Sequence, residues 1–234
     1  MSMVAGIYRG GAMSSSKPLL LPARCASGVA GRYSVILADP PWSYSFGSGT
    51  EKGKNGVFGI AEHHYGTMTD DALCSLPVGD LAAPDCALFM WATWPKLPVA
   101  LRVGAAWGFE YKTLAFDWLK RTSTGNEWHW GTGFWTRANS EPCLLFVRGH
   151  LNRKNQGKIH QLIVDIGQQA LFPTLVTRYA AHSAKPHEQY SRIEALLDGP
   201  YLELFARNSA PGWDAWGNEA PNCIDWRPVL RRAG

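Results

Sequence analysis

Residues 33–42 of the chain read YSVILADPPW, an apolar run that ends in an acid, two prolines and a tryptophan. The first part, residues 33–38, predicts a buried β-strand, because it is short, continuous and rich in aliphatic and β-branched side chains. Pro40 and Pro41 have no N–H groups with which to continue a β-ladder, so the strand ends before them. Asp39 is therefore predicted to stand at the carboxyl end of a buried strand.

Further short apolar runs follow this strand, with helical patterns between them. Strands are predicted at residues 86–93, 111–119, 143–147, 161–166 and 201–205. Helices are predicted at residues 70–76, with Thr69 as the N-cap, at 96–107, and between Pro186 and the Gly199-Pro200 pair. This alternation predicts a doubly wound α/β sheet, in which ligands bind beyond the carboxyl ends of the strands.

The composition is that of a folded protein. Of 234 residues, 46% are hydrophobic and 18% are charged, which is enough to bury a core. No apolar run reaches the roughly 18–20 residues of a membrane span. The formal net charge of +4 permits a nucleic-acid partner without requiring one. We expect a flexible tail at 1–31, a single domain at 32–226 and a second tail at 227–234.

Cysteine and histidine spacing disfavours covalent or metal cross-links. The five cysteines are scattered and never have the C-x-x-C spacing, so reduced thiols in a cytoplasm fit best. His63 and His64 have no third ligand at suitable spacing, and no metal site is predicted.

The Asp39-Pro40-Pro41-Trp42 sequence combines hydrogen-bond acceptors with a rigid turn. The exocyclic amine of adenine is a weak nucleophile, and acceptors held near both of its protons would assist its attack on a methyl group. The Asp39 carboxylate and the Pro40 carbonyl can serve as those acceptors, while the prolines stiffen the turn. Trp42 offers an apolar face to a base taken out of its stack. The structural alternative is a strand that ends in a proline turn with a buried tryptophan.

Motifs spread from residue 33 to about residue 222 resemble the DPPW family of adenine-N6 methyltransferases, the MT-A70 family. They are DPPW at 39–42, YGTM at 65–68, FMW at 89–91, WGF at 107–109, EPCL at 141–144, RG at 148–149, HSAKPHE at 182–188, ELFAR at 203–207, Trp213, and GNE at 217–219. The resemblance implies a Rossmann-like methyltransferase fold, with a permuted order in which the catalytic DPPW motif precedes the cofactor motifs.

The resemblance also implies S-adenosyl-L-methionine as the cofactor. Lys185 is expected to pair with the carboxylate of that cofactor, and Glu203, an acid inside an apolar strand, to lie beside it. The other expected cofactor contacts are Phe205, Arg207, Asn208, Asn218 and Glu219. Core packing is the structural alternative for Phe205. The residues that hold the adenine ring of the cofactor are not identified.

Candidate substrate contacts lie in two glycine-rich segments, 47–59 and 125–139, and beside them. Trp128 and Trp130 are candidates for stacking on nucleic acid, with packing on the sheet as the alternative. Tyr65 is a candidate for the pocket of the target base, with core packing as an equal alternative. We expect both segments to flank the DPPW pocket and to be the least ordered parts of the domain.

Arg153 and Lys154 belong to a basic run at 148–160, which is expected either to contact phosphates near the pocket or to form a solvated face. The sequence as a whole predicts methylation of adenine N6 in nucleic acid. DNA is preferred because the chain is compact and lacks RNA-binding modules, which suggests a bacterial or phage enzyme of the cytoplasm. The alternatives are an RNA adenosine methyltransferase, a catalytically silent nucleic-acid-binding subunit, and methylation of another planar amine.

Overall fold

The computed structural model describes residues 30–44, 66–122, 127–131, 135–155, 157–164, 185–217 and 220. Its strands are β1 (Tyr33–Ala38), β2 (Ala82–Trp91), β3 (Glu110–Leu119), β4 (Ser140–Arg148), β5 (Leu162–Val164), β6 (Tyr201–Leu204) and β7 (Trp213–Trp216). Its α-helices are α1 (Asp70–Cys74), α2 (Leu97–Ala106) and α3 (Glu188–Leu196), with short 3₁₀ helices at Val78–Asp80 and Trp94–Lys96. Each predicted strand and helix overlaps one of these elements.

The strands form one seven-stranded sheet in the order β5-β3-β4-β2-β1-β6-β7. β1 lies in the interior of the sheet, next to the central strand β2, and pairs in parallel with both β2 and β6. Among the described strands only β4 runs against its neighbours, since it is antiparallel to both β2 and β3. The expected α/β architecture with a mostly parallel sheet is confirmed.

Both faces of β1 are buried, which explains its nearly continuous apolar sequence. Ile36 and Ala38 point to the face covered by α1 and α2, whereas Val35 and Leu37 point to the face where Ile193 of α3 packs. Helices on both faces are the arrangement of a doubly wound sheet. The side chain of Thr69 caps α1, as predicted, by accepting a hydrogen bond from the Ala72 N–H.

The sequence did not predict β7. Its residues, WDAW, carry an acid between the aromatic side chains and lack a continuous apolar run. Pairing with β6 supplies the ladder, and Asp214 accepts a 2.7 Å hydrogen bond from the Tyr33 hydroxyl. Tertiary contacts therefore determine this strand more than its own composition does.

The predicted tails fall almost wholly outside the described residues. None of the helices that the structure describes has the length and apolar character needed to cross a membrane.

Candidate active site

Charged side chains meet at the edge of the sheet where β1 and β3 end and the reversed strand β4 begins. Asp39 follows β1, Lys120 follows β3, and Glu141 lies near the start of β4. Because β4 is antiparallel, Glu141 pairs with Trp118 near the end of β3 and reaches the same edge as Asp39. Lys185, in the segment before α3, completes the group.

These four side chains form a sequence of alternating charges, which we call the charge chain (Asp39, Lys185, Glu141 and Lys120). Nζ of Lys185 lies 2.8 Å from Oδ2 of Asp39 and 3.4 Å from Oε2 of Glu141. The other oxygen of Glu141 accepts a hydrogen bond from Nζ of Lys120. Only 9% of the Lys185 side chain is exposed, so two carboxylates rather than water compensate its charge.

Neighbouring charges keep Glu141 and Lys185 ionised. Burial raises the pKa of Glu141, but the ammonium groups of Lys185 and Lys120 outweigh burial and hold that pKa below its usual value. Burial lowers the pKa of Lys185, but the Asp39 and Glu141 carboxylates outweigh it and hold that pKa above its usual value.

Lys185 was expected to pair with a cofactor carboxylate, and the structure instead gives it the protein carboxylates Asp39 and Glu141 as partners. An ammonium group has three N–H donors, and the described residues account for two of them. A cofactor contact through the third donor stays a prediction.

A cavity of about 370 Å³ opens beside Asp39, between the ends of β1 and β6 and the start of α3. Ligand pockets usually occupy about 300–1,000 Å³, so the cavity is large enough for a cofactor. Its lining includes Asp39 and five of the predicted cofactor contacts, which are Lys185, Glu203, Phe205, Arg207 and Asn208. Residues from two strand ends and one helix are thus gathered around one space.

Glu203 has a polar partner inside this cavity. Its Oε2 accepts a 2.9 Å hydrogen bond from the hydroxyl of Tyr190 in α3. Burial raises the pKa of Glu203 to about 7, with the nearby charge of Asp39 adding to the rise and the Tyr190 hydrogen bond opposing it. Near neutral pH the carboxyl group therefore exists in both protonation states.

The raised pKa of Glu203 predicts that the chain loses stability as the pH rises. The folded chain, with a pKa of about 7, holds the proton more tightly than the unfolded chain, with a value of 4.5. This contribution to the free energy of unfolding is complete below about pH 4.5 and is lost as the pH rises through about 7.

Urea unfolding at a series of pH values checks this prediction, with Glu203→Gln expected to flatten the dependence. Glu194→Gln is the matched control, because Glu194 lines the same cavity but accepts its hydrogen bond from Trp213 Nε1. Equal slopes for the wild type and Glu203→Gln would contradict the assignment.

The turn after β6 has an unusual backbone. Phe205 has a φ of +62°, in the left-handed region that non-glycine residues rarely adopt outside constrained sites. The close approach of β7 holds this turn: the Ala206 N–H donates to the Trp216 carbonyl, and a Cβ on Gly217 would lie 2.0 Å from the Ala206 carbonyl oxygen. The turn thereby directs Arg207 and Asn208 to the cavity without a glycine-rich motif.

The DPPW turn is compact, and its tryptophan lies in the core. The backbone N–H of Trp42 donates to the Pro40 carbonyl at 2.8 Å, and the Met68 N–H donates to the Pro41 carbonyl at 2.9 Å. Only 6% of Trp42 is exposed, and its Nε1 donates to the carbonyl of Trp91. This geometry is that of a strand ending in a proline turn with a buried tryptophan. Stacking of Trp42 on a base, and acceptance of an amine proton by the second lone pair of the Pro40 carbonyl, stay predictions.

Backbone hydrogen bonds hold together the chain that connects β3 to β4 beyond the edge of the sheet. The His129 N–H donates to the Lys120 carbonyl, and the Gly131 N–H donates to that of Ala138. We call the described residues 120–122, 127–131 and 135–139 the arm. Trp128 lies 4.6 Å from the guanidinium of Arg121.

The tryptophans of the arm are accessible to a ligand. Trp130 is 55% exposed and Trp128 is 38% exposed. Because Lys120 belongs both to the arm and to the charge chain, the arm starts at the same edge of the sheet as Asp39. The arm thus begins at the edge of the sheet where the cavity also opens.

Arg153 and Lys154 lie toward the opposite edge of the sheet. Lys154 forms a 2.6 Å ion pair with Asp198, and its N–H donates to the Leu196 carbonyl at the end of α3. The length of β1, roughly 20 Å, separates this surface from Asp39. At Lys154 the basic run lies away from the pocket, contrary to expectation, because β4 runs against its neighbours and carries the chain away. Phosphate contact by this surface stays a prediction.

Several predicted features lie outside the described residues. They are Tyr65, Asn218, Glu219, His63, His64 and the segment 47–59. Within the part of the chain that the structure describes, no group of three His, Cys, Asp or Glu side chains could hold a metal ion.

Sequence reasoning missed Glu141 and Lys120. Both stand at strand ends, the signal that identified Asp39, and Glu141 opens the EPCL motif. Their proximity to Asp39 could not be predicted without the direction of β4.

Residues 33–219 match the sequence model of the MT-A70 family. The chain belongs to the MT-A70 family. The match extends from β1 past the end of β7, so it includes the charge chain and the cavity. This confirms the resemblance drawn from the motifs.

Three relatives of this MT-A70 chain differ in how much of their own length the match covers. The type II methyltransferase M.MunI of a Mycoplasma species is 33% identical over 204 residues, which are 82% of this chain and 79% of that protein. Human N(6)-adenosine-methyltransferase catalytic subunit METTL3 is 30% identical over 82% of this chain and 29% of its own length. The N6-methyladenosine RNA methyltransferase MTA1 of Cryphonectria parasitica is 29% identical over 80% of this chain and 51% of its own length. The MT-A70 chain is thus a methyltransferase.

Proposed function

We propose that this enzyme transfers a methyl group from S-adenosyl-L-methionine to the N6 amine of adenine in DNA. The chain is an N6-adenine methyltransferase of the MT-A70 family, and the cofactor and the DNA substrate are the parts added by the proposal. The observation that carries it is the position of Asp39, at once on the wall of the cavity and in the buried ion pair with Lys185.

The lining of the cavity suits S-adenosylmethionine. Glu203 offers a carboxyl group and Asn208 an amide to the ribose hydroxyls, Arg207 offers a cation to oxygen atoms, and Phe205 offers an aromatic ring. Bound there, the cofactor supplies an electrophilic methyl group on a sulfonium. Glu203 and Lys185 each already have a polar partner in the protein, so neither leaves an uncompensated buried group in the cavity.

The reacting amine is held by the DPPW turn. Oδ2 of Asp39 is bound by Lys185, which leaves Oδ1 to accept one N6 proton, while the Pro40 carbonyl accepts the other with its second lone pair. Fixed acceptors on both protons orient the amine and make its nitrogen a better nucleophile. About a quarter of the Asp39 side chain is exposed, so a proton lost by N6 can pass from Oδ1 to water.

The arm would bind the nucleic acid around the target base. Duplex DNA presents N6 to an enzyme only after the adenine leaves the stack, which costs a few kcal/mol. Exposed Trp128 and Trp130 can recover part of that cost by stacking on bases, and the adjacent Arg121 side chain supplies positive charge near phosphates.

DNA is chosen over RNA because of one relative. The matched region covers most of the Mycoplasma relative, whose designation as a type II methyltransferase is that of DNA modification enzymes. A bacterial or phage cytoplasm is the setting we propose for such an enzyme.

A single assay separates DNA from the alternatives. The purified chain is incubated with S-adenosylmethionine and single-stranded DNA, duplex DNA or RNA of matched sequence, and the nucleosides are analysed by mass spectrometry. We expect N6-methyldeoxyadenosine to form fastest. Faster methylation of RNA would overturn the DNA assignment, and N4-methylcytosine would overturn the choice of base. Calorimetric binding of the cofactor without any methylated product would favour a silent partner subunit.

Replacement of Trp130 or Trp128 by alanine is expected to weaken binding of nucleic acid without changing affinity for the cofactor. Loss of one stacked base is worth about 1–3 kcal/mol, or roughly a 5- to 150-fold rise in Kd. Fluorescence anisotropy with labelled oligonucleotides and calorimetry with the cofactor measure the two affinities.

Tyr111→Ala is the matched control for the tryptophan variants, since Tyr111 is an exposed aromatic side chain near the start of β3, away from the arm. Equal losses in nucleic-acid binding for Tyr111→Ala and the tryptophan variants would contradict a role for the arm.

A further inference from the structure

The charge chain extends beyond the residues that the proposed reaction uses. Asp39 holds the amine, and Lys185 contacts it directly, but Glu141 and Lys120 lie behind Lys185 and lead away toward the arm. Resting on the proposed function, we propose that Glu141 and Lys120 are positioning residues of the methyl transfer, which act through Lys185 to fix the place of the Asp39 carboxylate and the positive charge beside it.

The first argument is geometric. Oε2 of Glu141 lies on the ammonium of Lys185, and Oε1 is bound by Lys120, so the carboxylate is anchored on both sides. Lys120 is itself fixed at both ends. Its ammonium lies 4.5 Å from the centre of the Trp118 ring, and its backbone N–H donates to the Asn139 carbonyl. The far end of the charge chain is therefore rigid, and this rigidity is transmitted to Lys185.

The second argument is electrostatic. Lys185 is almost completely buried, and an ammonium group loses its proton readily when it is removed from water without compensating charge. Asp39 and Glu141 together keep the pKa of Lys185 raised despite burial. Without Glu141, the Asp39 carboxylate alone would compensate the positive charge of Lys185.

Other groups also face the Asp39–Lys185 pair from the elements packed around it. They are Tyr44 after the DPPW turn, Cys143 in β4, His187 and Tyr190 around the start of α3, and Glu203 in β6. Burial raises the pKa of both tyrosines and of Cys143, which keeps them neutral. Because the pKa of Glu203 is about 7, the pH experiments below are repeated in a Glu203→Gln background.

Glu141→Gln is expected to move the alkaline limb of the kcat–pH profile to lower pH by about one unit or more. The reason is that Lys185 loses one of the two carboxylates that hold its pKa up. KM for the cofactor is expected to stay unchanged. Glu141→Asp keeps the charge and is expected to restore the limb at least in part. A merely structural role for Glu141 would lower kcat at all pH values equally.

Lys120→Met is expected to act on the other limb. Lys120 helps to hold the pKa of Glu141 below its usual value, so its removal lets Glu141 take up a proton at higher pH. The acid limb should therefore move upward, and Lys120→Arg should reverse the change. Loss of packing would not move the alkaline limb in Glu141→Gln and the acid limb in Lys120→Met.

A direct titration keeps this inference separate from the proposed function. The Nζ resonance of Lys185 is followed with pH in ¹⁵N-lysine-labelled full chain, without substrate, and is assigned by its absence in Lys185→Arg. In Glu141→Gln the midpoint is expected to fall by about one unit or more relative to the wild type. An unchanged midpoint overturns the role of Glu141, even if methylation of adenine is found. A lowered midpoint supports it, even if the nucleic acid proves to be RNA.

Discussion

Replacement of Asp39 by alanine is expected to lower kcat for adenine methylation by about 10²-fold or more, the scale for loss of one fixed hydrogen-bond partner of a transition state. Oδ1 of Asp39 would no longer hold an N6 proton, and Lys185 would keep Glu141 as its carboxylate partner. The fold should survive, because Asp39 follows β1 at the edge of the sheet and its side chain lies partly in water.

Asp39→Asn separates charge from shape in this experiment. The amide retains an oxygen acceptor but no longer neutralises Lys185, so we expect a loss close to that of alanine. Asp198→Ala is the matched control, since Asp198 pairs with Lys154 at the far edge of the sheet. Initial rates at saturating cofactor measure the effect, and thermal unfolding checks the fold. Near-wild-type activity in a folded Asp39→Ala chain would remove Asp39 from the mechanism.

Lys185→Met is expected to impair both catalysis and stability. The substitution leaves the carboxylates of Asp39 and Glu141 at the same buried place without the ammonium between them. Removing one partner of a buried ion pair costs about 3–5 kcal/mol. For a domain of this size, a loss of about 3 kcal/mol lowers Tm by roughly 6–12 °C. We expect kcat to fall by about 10²-fold as well, because Asp39 loses the group that fixes Oδ2.

Lys154→Met provides the control for Lys185→Met. It removes the same charge from an exposed ion pair with Asp198, where water replaces the lost partner, and we expect no measurable change in Tm. Comparable losses of stability in the two lysine variants would contradict the assignment of Lys185 to a buried charge chain.

The position of Asp39 could be predicted because two independent local signals coincide there. An apolar run forms β1, and prolines that cannot continue a ladder end it, so neither signal depends on the rest of the chain. The family resemblance added Lys185 and Glu203, and both line the cavity beside Asp39. The protein partners of Lys185 were not predicted, since a motif gives the residue but not the atoms that it touches.

Two failures of prediction share one cause, which is the direction of β4. Glu141 reaches Asp39, and Lys154 lies far from it, because β4 is antiparallel within a mostly parallel sheet. Strand direction is a property of the whole sheet and leaves no mark on the sequence of β4. Trp42 is a separate case. Sequence could not decide between packing in the core and stacking on a base, since an indole ring suits either role.

The pairing of β1 with β6 has a consequence for synthesis on the ribosome. Val35 of the first strand stands beside Tyr201 of the sixth, so the strands that flank the cavity are made far apart in time. A nascent chain that ends before Lys185 already carries Asp39 and the strands β1 to β5, yet it lacks α3, β6, β7 and most of the cavity wall. Contacts between such distant segments form late and slowly. Methyl transfer by this chain can therefore begin only after nearly all of the residues that build its sheet have been translated.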